Sequence, residues 1–176
     1  MLETSTHRLR ALEPADVVLL HKWENVSSTW WLGSTLTPYS QATLLKFAEG
    51  DHEIYKDKQL RLMLDCKETA EHVWKTVGAV DLYDFDVRNL RAGVGITIDE
   101  AERNKRHALA GLTLLHEYSF KHLGLHQLYA EVPADHLPSR HLFQKAEYIE
   151  CELRKEWVKG TNKWCDVVLF QLINRD

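Results

Sequence analysis

The sequence contains no apolar run approaching the roughly 20 residues that a membrane-spanning helix needs, so no such helix is expected. Residues 1–10 also lack the apolar segment of a secretory signal, which favours a cytoplasmic protein. No basic excess is present, since 22 Lys and Arg stand against 26 Asp and Glu. The net charge of −4 argues against a nucleic-acid partner, because surfaces that bind nucleic acid are usually basic.

Cysteine is scarce, and its three positions, Cys66, Cys151 and Cys165, form no C-x-x-C pair. A zinc ribbon and a dithiol redox motif are therefore not expected, and all three side chains are predicted to be free thiols. The ten histidines include no H-E-x-x-H pattern. The closest set is His116, His122 and His126, and because Gly124 breaks the helix inside it, no metal site is expected.

Prolines number only four, and no linker rich in Pro, Gly or Ser divides the chain, so residues 1–176 are expected to form a single domain. Hydrophobic patterning predicts the element order β-α-α-β-β-β-α-β-α-β-β. This order does not fit a doubly wound nucleotide fold; it predicts an α/β protein with a mixed, mostly antiparallel sheet and helices on both faces. Strands are predicted at 6–12, 59–66, 73–82, 92–98, 128–132, 148–159 and 163–172, a turn at 67–71, and helices at 13–24, 40–48, 107–121 and 139–146.

The most informative segment is 92–115, where a strand runs through a charged loop into a helix that starts near His107. The first N–H groups of a helix have no partner within it, and the helix dipole adds partial positive charge there. Such a terminus favours an anion, and a diphosphate fits it well. Arg103, Lys105 and Arg106 add positive charge at the same place.

This loop resembles a motif of the GNAT superfamily of N-acetyltransferases, Arg/Gln-x-x-Gly-x-Gly/Ala. The first and last positions match at Arg103 and Ala108, whereas Arg106 replaces the central Gly. Segments 6–16, 123–128 and 152–170 resemble the branch that includes spermidine and ribosomal-protein N-terminal acetyltransferases. The resemblance implies a GNAT-like sheet, acetyl-CoA as co-substrate and direct attack of a primary amine on the thioester.

The same resemblance implies which residues bind the cofactor. In the family the fourth and fifth strands part, which here would free the backbone of 95–98 for the pantetheine arm. The implied cofactor residues are Ile96, Thr97, Ile98, Arg103, Asn104, Lys105, Arg106, His107, Ala108, His136 and Phe143.

A second family pattern, Asn-x-x-Ser/Ala followed by Tyr-x-Lys-x-Gly-Phe, corresponds to residues 136–148. His136 stands at the Asn and Ser139 matches, while Glu147 replaces the Gly. Phe143 replaces a Tyr that protonates the departing thiolate in many members, and Phe has no O–H to donate.

Candidate bases are Glu131 and Glu24, and candidate acids are Ser139 and His136. Each also has a structural explanation: the two Glu are solvated, Ser139 caps its helix, and His136 is a loop residue. The acceptor pocket is expected among aromatic residues: Trp30, Trp31, Tyr39 and Tyr83. Core packing is the alternative for the first three, and a surface turn is the alternative for Tyr83.

The acceptor stays open between a small amine or polyamine and a peptide N-terminus. Gly93 stands where spermidine enzymes often have an acidic residue, which disfavours a strict polyamine enzyme. Arg106, Phe143 and Glu147 keep a catalytically weak or silent binding protein open as an alternative. An enzyme that uses another acyl-CoA is a third hypothesis. A homodimer formed through the last hairpin is a further open alternative.

Overall fold

The computed structural model describes residues 2–33, 35–67 and 73–175. Its strands are β1 His7–Ala11, β2 Leu60–Lys67, β3 Trp74–Asp86, β4 Arg91–Ile98, β5 Gln127–Pro133, β6 Ile149–Lys159 and β7 Trp164–Ile173. Its helices are α1 Val17–Glu24, α2 Gln41–Ala48, α3 Ile54–Asp57, α4 His107–Glu117 and α5 Leu137–Lys145. The strands form one sheet in the order β1-β2-β3-β4-β5-β7-β6.

All neighbouring strands in the sheet are antiparallel except β4 and β5, which are parallel. The predicted mixed, mostly antiparallel sheet is therefore confirmed. Successive side chains of a strand point to opposite faces, and Met63 and Leu64 on β2 accordingly enter two different apolar clusters. Met63 packs with Leu20 of α1 and Leu44 of α2, whereas Leu64 belongs to the cluster that includes α4 and α5. Helices thus cover both faces.

Several predicted boundaries were wrong. Strand β3 continues to Asp86, because its partner β4 extends the pairing as far as Arg91 opposite Asp86. The helix predicted at 107–121 is α-helical only to Glu117 and then continues as one π-helical turn, Tyr118–His122. The short helix α3 and the 3₁₀ turns at Ser27–Leu32 were not predicted. Most of the turn predicted at 67–71 lies outside the described residues.

Helix α5 begins at Leu137, so the expected capping role of Ser139 was wrong and His136 is the N-cap residue. Pro138 falls in the first turn, where a missing N–H removes no helical hydrogen bond, so the helix starts ahead of the serine.

All three cysteines are free thiols, as predicted; Cys66 and Cys165 are buried and Cys151 is exposed. Cys165 lies opposite Val158 in the last hairpin. Across residues 2–33, 35–67 and 73–175, no helix has the length and apolarity to cross a membrane. The same part of the chain contains no cluster of three ligating side chains able to hold a metal ion.

Candidate active site

A gap opens in the sheet between β4 and β5. These strands pair only from Arg91 to Gly93, opposite Gln127 to Tyr129; beyond that point β4 pairs with β3 alone and β5 with β7 alone. Residues 92–94 are buried, whereas 95–98 are partly exposed. Because only part of a strand's backbone N–H and C=O groups can bond to one neighbour, other groups of β4 face the gap. The gap therefore offers hydrogen bonds to an extended ligand chain.

The N-terminus of α4 follows the open end of this gap. Arg106 caps the helix in a left-handed conformation (φ 67°), and Asn104 is also left-handed (φ 64°). The Ala110 amide donates to the Arg106 carbonyl at 3.2 Å. The amides of residues 107–109 precede this bond and have no acceptor within the helix, so they are available to an anion.

The loop that leads to α4 is fixed by ion pairs on both sides. Asp99 accepts hydrogen bonds from Lys22 (2.6 Å) and Trp23 (2.9 Å), of which the Lys22 bond is the first cause that lowers its pKa to about 2. Glu102 accepts from Lys105 and Lys75, both at 2.8 Å, and these bonds lower its pKa to about 2. Both carboxylates stay ionised at neutral pH and hold the loop in place.

Arg103 and Arg106 are exposed, and neither forms an ion pair with any residue in the described part of the chain. Lys105, in contrast, already has Glu102 as a partner. The uncompensated positive charge at the start of α4 therefore comes from the two arginines.

The segment after β5 carries three of the motif positions, His136, Phe143 and Glu147. His136 Nδ1 is buried and has no hydrogen-bond partner among the described residues. Phe143 is 4% exposed and packs edge-on against Tyr148, with ring centroids 5.0 Å apart. Glu147 has a φ of 68°, so Glu147, like Arg106, keeps a left-handed backbone where the family has glycine.

Both candidate bases contact arginines. Glu131 is exposed on β5 and forms an ion pair with Arg154 of β6. Glu24, at the end of α1, pairs with Arg61, whose Nε also lies 2.7 Å from Asp81. Both candidate carboxylates therefore lie beside a guanidinium, and neither is without a charged partner.

The aromatic segment expected to form the acceptor pocket is fastened to the end of α1. The Trp30 indole N–H donates to the Glu24 carbonyl at 2.8 Å. The Asn25 side chain accepts from the Tyr39 amide (2.8 Å) and donates to the Tyr39 carbonyl (2.9 Å). Trp30, Trp31 and Tyr39 are all partly exposed, and Tyr39 packs against the apolar cluster of α1 and α2.

Sequence reasoning missed Arg61, Asp81, Tyr129 and Arg154. One pattern pointed to Arg61: it lies between Leu60 and Leu62 in an alternating strand, so its side chain faces the opposite surface of the sheet, towards α1 and α2. A charged residue on a covered face needs a partner, and both Glu24 and Asp81 serve as one.

A model of the acetyltransferase (GNAT) domain matches residues 7–149. The chain belongs to the GNAT family of acetyltransferases. It is 27% identical over 175 residues to the uncharacterized N-acetyltransferase p20 of Bacillus licheniformis, covering 99% of this chain and 95% of that protein. As a member of this GNAT family, the protein is an acyltransferase enzyme.

Solved structures show the same GNAT fold. The spermidine N-acetyltransferase of Vibrio cholerae in complex with CoA and spermine superposes with a TM-score of 0.82 at 22% identity, over 97% of this chain and 96% of that one. A dodecameric structure of spermidine N-acetyltransferase from Vibrio cholerae gives a TM-score of 0.77 at 24% identity, over 97% and 95% of the two chains.

The residues of this GNAT protein fit acetyl-CoA. The gap beside 95–98 suits an extended arm, and the free amides at α4 suit a diphosphate. Arg103 and Arg106 supply charge, and the unpartnered His136 Nδ1 offers a further hydrogen bond.

Proposed function

We propose that the protein transfers an acetyl group from acetyl-CoA to a primary amine, and that residues 1–176 act as one domain in doing so. The observation that carries this proposal is the parting of β4 and β5 at Gly93, with the N-terminus of α4 beyond the open end. This arrangement provides an anion site at the start of α4 and a site for the reacting thioester at the closed end of the gap. The partly exposed backbone of β4 joins the two. Acetyl-CoA has the matching order of groups, a diphosphate, an extended arm and a thioester.

The diphosphate end binds the amides of residues 107–109, with Arg103 and Arg106 beside them. From there, residues 94–98 run for roughly 16 Å at about 3.3 Å per residue. The thioester therefore lies near Gly93 and Tyr129, at the closed end of the gap. Acetyl-CoA supplies the activated acetyl group. Side chains and backbone amides of this chain bind it, orient it and handle the proton transfers.

The chain has three chemical tasks at the closed end. A base must remove a proton from the ammonium form of the acceptor, and Glu131 and Glu24 are the candidates, directly or through water. A gap-facing amide of β4 stabilises the oxygen that becomes negative during attack. His136 and Ser139 remain the candidates for returning a proton to the sulfur, because Phe143 has none to give.

The acceptor is proposed to be a cationic amine. The carboxylates considered for it are Glu24 on α1, Asp81 and Asp84 on β3, and Glu131 on β5. Arg61 pairs with Glu24 and Asp81, and Arg154 pairs with Glu131. The arginines offset part of the negative charge, so the surface favours an amine of low total charge. We infer a small amine or a peptide N-terminus in preference to a polyamine, which carries several positive charges.

Thermal melting with and without acetyl-CoA tests the first half of this proposal. A ligand at about 100 times its Kd stabilises the native state by about 2.7 kcal/mol, which is a readily measured rise in midpoint. The double variant Arg103→Ala/Arg106→Ala is expected to show a smaller rise at the same ligand concentration. No rise with wild type at millimolar acetyl-CoA would contradict the proposal.

Thiol release over a panel of acceptors tests the second half. Spermidine, a monoamine and a short peptide with a free N-terminus are compared, and the peptide with a blocked N-terminus is the control. Release that depends on the free amine supports acetyl transfer. Replacement of acetyl-CoA by longer acyl-CoAs in the same assay shows which acyl group the closed end accepts.

A further inference from the structure

The ring of Tyr83 occupies the space above Gly93. These residues face each other on β3 and β4, and a Cβ at Gly93 would stand 2.3 Å from Tyr83 Cε2 and 2.5 Å from Cζ. No side chain fits at residue 93 while the ring is there. Gly93 is also the last residue of β4 that pairs with β5. The ring therefore crosses β4 at the closed end of the gap.

The Tyr83 side chain reaches β5, where its ring packs edge-on against Tyr129 with the ring centroids 6.0 Å apart. Its neighbours there include Glu131, two residues beyond Tyr129, which is the last residue of β5 that pairs with β4. A tyrosine hydroxyl has one O–H to donate besides the lone pairs with which it accepts. Within residues 2–33, 35–67 and 73–175, no side chain accepts a hydrogen bond from the Tyr83 O–H, so this O–H is available to a ligand.

The other aromatic residues around this position cannot serve in the same way. Tyr129 has Asp84 as a neighbour that competes for its hydroxyl, and Tyr148 bonds to His116 Nε2 at 3.1 Å. Phe143 has no hydroxyl. Of the tyrosines packed around the closed end of the gap, Tyr83 is therefore the one whose O–H can donate a hydrogen bond to a ligand there.

We propose that Tyr83 is a catalytic hydrogen-bond donor that stabilises the thioester oxygen during transfer, which rests on the acetyl transfer proposed above. The amine nitrogen attacks the carbonyl carbon, and the C=O electron pair moves onto oxygen. Tyr83 O–H and a β4 amide donate to that oxyanion. The C=O bond then re-forms as the C–S bond breaks. The thiolate takes a proton from solvent or from a candidate acid, the amine loses its proton to the base, and Tyr83 keeps its own.

The chemical state of Tyr83 agrees with a donor that does not transfer its proton. Burial raises its pKa, and the neighbouring Tyr129 and Glu131 raise it further. The phenol therefore stays neutral at the alkaline pH where acceptor amines lose their proton. An ordinary tyrosine ionises near pH 10 and would lose its donor in that range.

The test compares Tyr83→Phe with wild type and with Tyr55→Phe, a control at a tyrosine that is 53% exposed on α3. Loss of one oxyanion donor lowers kcat by about 100- to 1000-fold. Tyr83→Phe is expected to show that loss, with an unchanged KM for acetyl-CoA and an unchanged melting shift. Acetyl-CoA labelled with ¹³C at the thioester carbonyl gives a second readout, a smaller downfield shift in the variant complex.

Three outcomes overturn this inference. One is a Tyr83→Phe enzyme as fast as wild type. Another is a slow variant that has also lost its melting shift, which indicates a structural role in cofactor binding. The last is an identical carbonyl shift in both complexes. Wild type that neither binds acetyl-CoA nor releases thiol contradicts the proposed function itself, so the two failures are distinguishable.

Discussion

The rings of His7 and His107 are joined by a hydrogen bond of 2.8 Å between Nε2 of the first and Nδ1 of the second. His7 lies on β1 and His107 is the first residue of α4. Burial lowers the pKa of both, and for His7 the nearby His107 lowers it further. For His107, Glu102 raises the pKa, while Lys105 and Lys75 lower it. Uncharged imidazoles therefore stand at the proposed diphosphate site before ligand binds.

Acetyl-CoA binding is expected to take up a proton at His107. A diphosphate beside this imidazole raises its pKa, and a group whose pKa is higher in the complex binds protons on complex formation. Affinity should then increase as the pH falls from about 8 to about 6, around the ordinary titration range of His. Titration calorimetry in two buffers with different ionisation heats measures the uptake. His107→Asn should show equal heats in both buffers, and equal heats with wild type would contradict the prediction.

Acid should destabilise the fold through His116. Burial lowers its pKa from 6.5 to about 4, so the folded state favours the neutral ring. Above the pKa of His116 in the unfolded chain, near 6.5, the buried neutral ring costs the folded state nothing. As the pH falls from there towards the folded pKa of about 4, the unfolded chain binds a proton first, and the free energy of unfolding decreases. A shift of this size corresponds to roughly 3 kcal/mol. Urea titrations at a series of pH values measure it.

The control for that measurement is His116→Gln, which keeps a partner for the Tyr148 hydroxyl and removes the titration. Its unfolding free energy should fall less steeply over the same pH interval. His7 and His107 also titrate in this pH interval. The effect of His116 is therefore measured as the difference between the pH curves of unfolding free energy for wild type and His116→Gln. Parallel curves would show that His116 does not cause the acid sensitivity.

The anion-binding character of the loop at 103–108 could be predicted, because it depends on local sequence alone. A strand, a charged turn and the start of a helix follow one another there. The contact of Tyr83 with Gly93 could not, because it depends on the register of β3 against β4. The pairing of Glu131 with Arg154 likewise depends on β7 lying between β5 and β6. The register between strands that are distant in sequence decides which acidic and basic side chains form ion pairs. The pattern of residues within one strand does not reveal that register.

Replacement of Arg106 by glycine should stabilise the free protein. A left-handed backbone costs a residue with a Cβ about 1 kcal/mol, and glycine adopts it without that cost. Arg106→Gly should therefore unfold at a higher temperature than Arg106→Ala, which removes the same charge and keeps the Cβ. Thermal melting without ligand compares them. Equal midpoints for the two variants would show that the backbone at this cap is unstrained.

Removal of Arg10 should be the most destabilising of these changes. Its guanidinium lies 2.7 Å from Asp16 and 3.0 Å from Asp65, and these acids are only 6% and 2% exposed. Asp65 keeps Arg8 at 2.9 Å, but Arg10→Met removes the cation that pairs with the buried Asp16, which costs about 3–5 kcal/mol. Urea unfolding near neutral pH measures this loss.

Lys56→Met is the matched control, because it breaks the ion pair of Lys56 with Asp51 at 4.0 Å, in which both side chains are largely exposed. Solvent screens such pairs, so its unfolding free energy should stay close to that of wild type. If Arg10→Met lost no more stability than this control, burial of Asp16 and Asp65 would not depend on Arg10. Lowering the pH should narrow the gap in unfolding free energy between Arg10→Met and wild type, because the pKa of Asp16 is lowered in the fold and a protonated Asp16 needs no cation beside it.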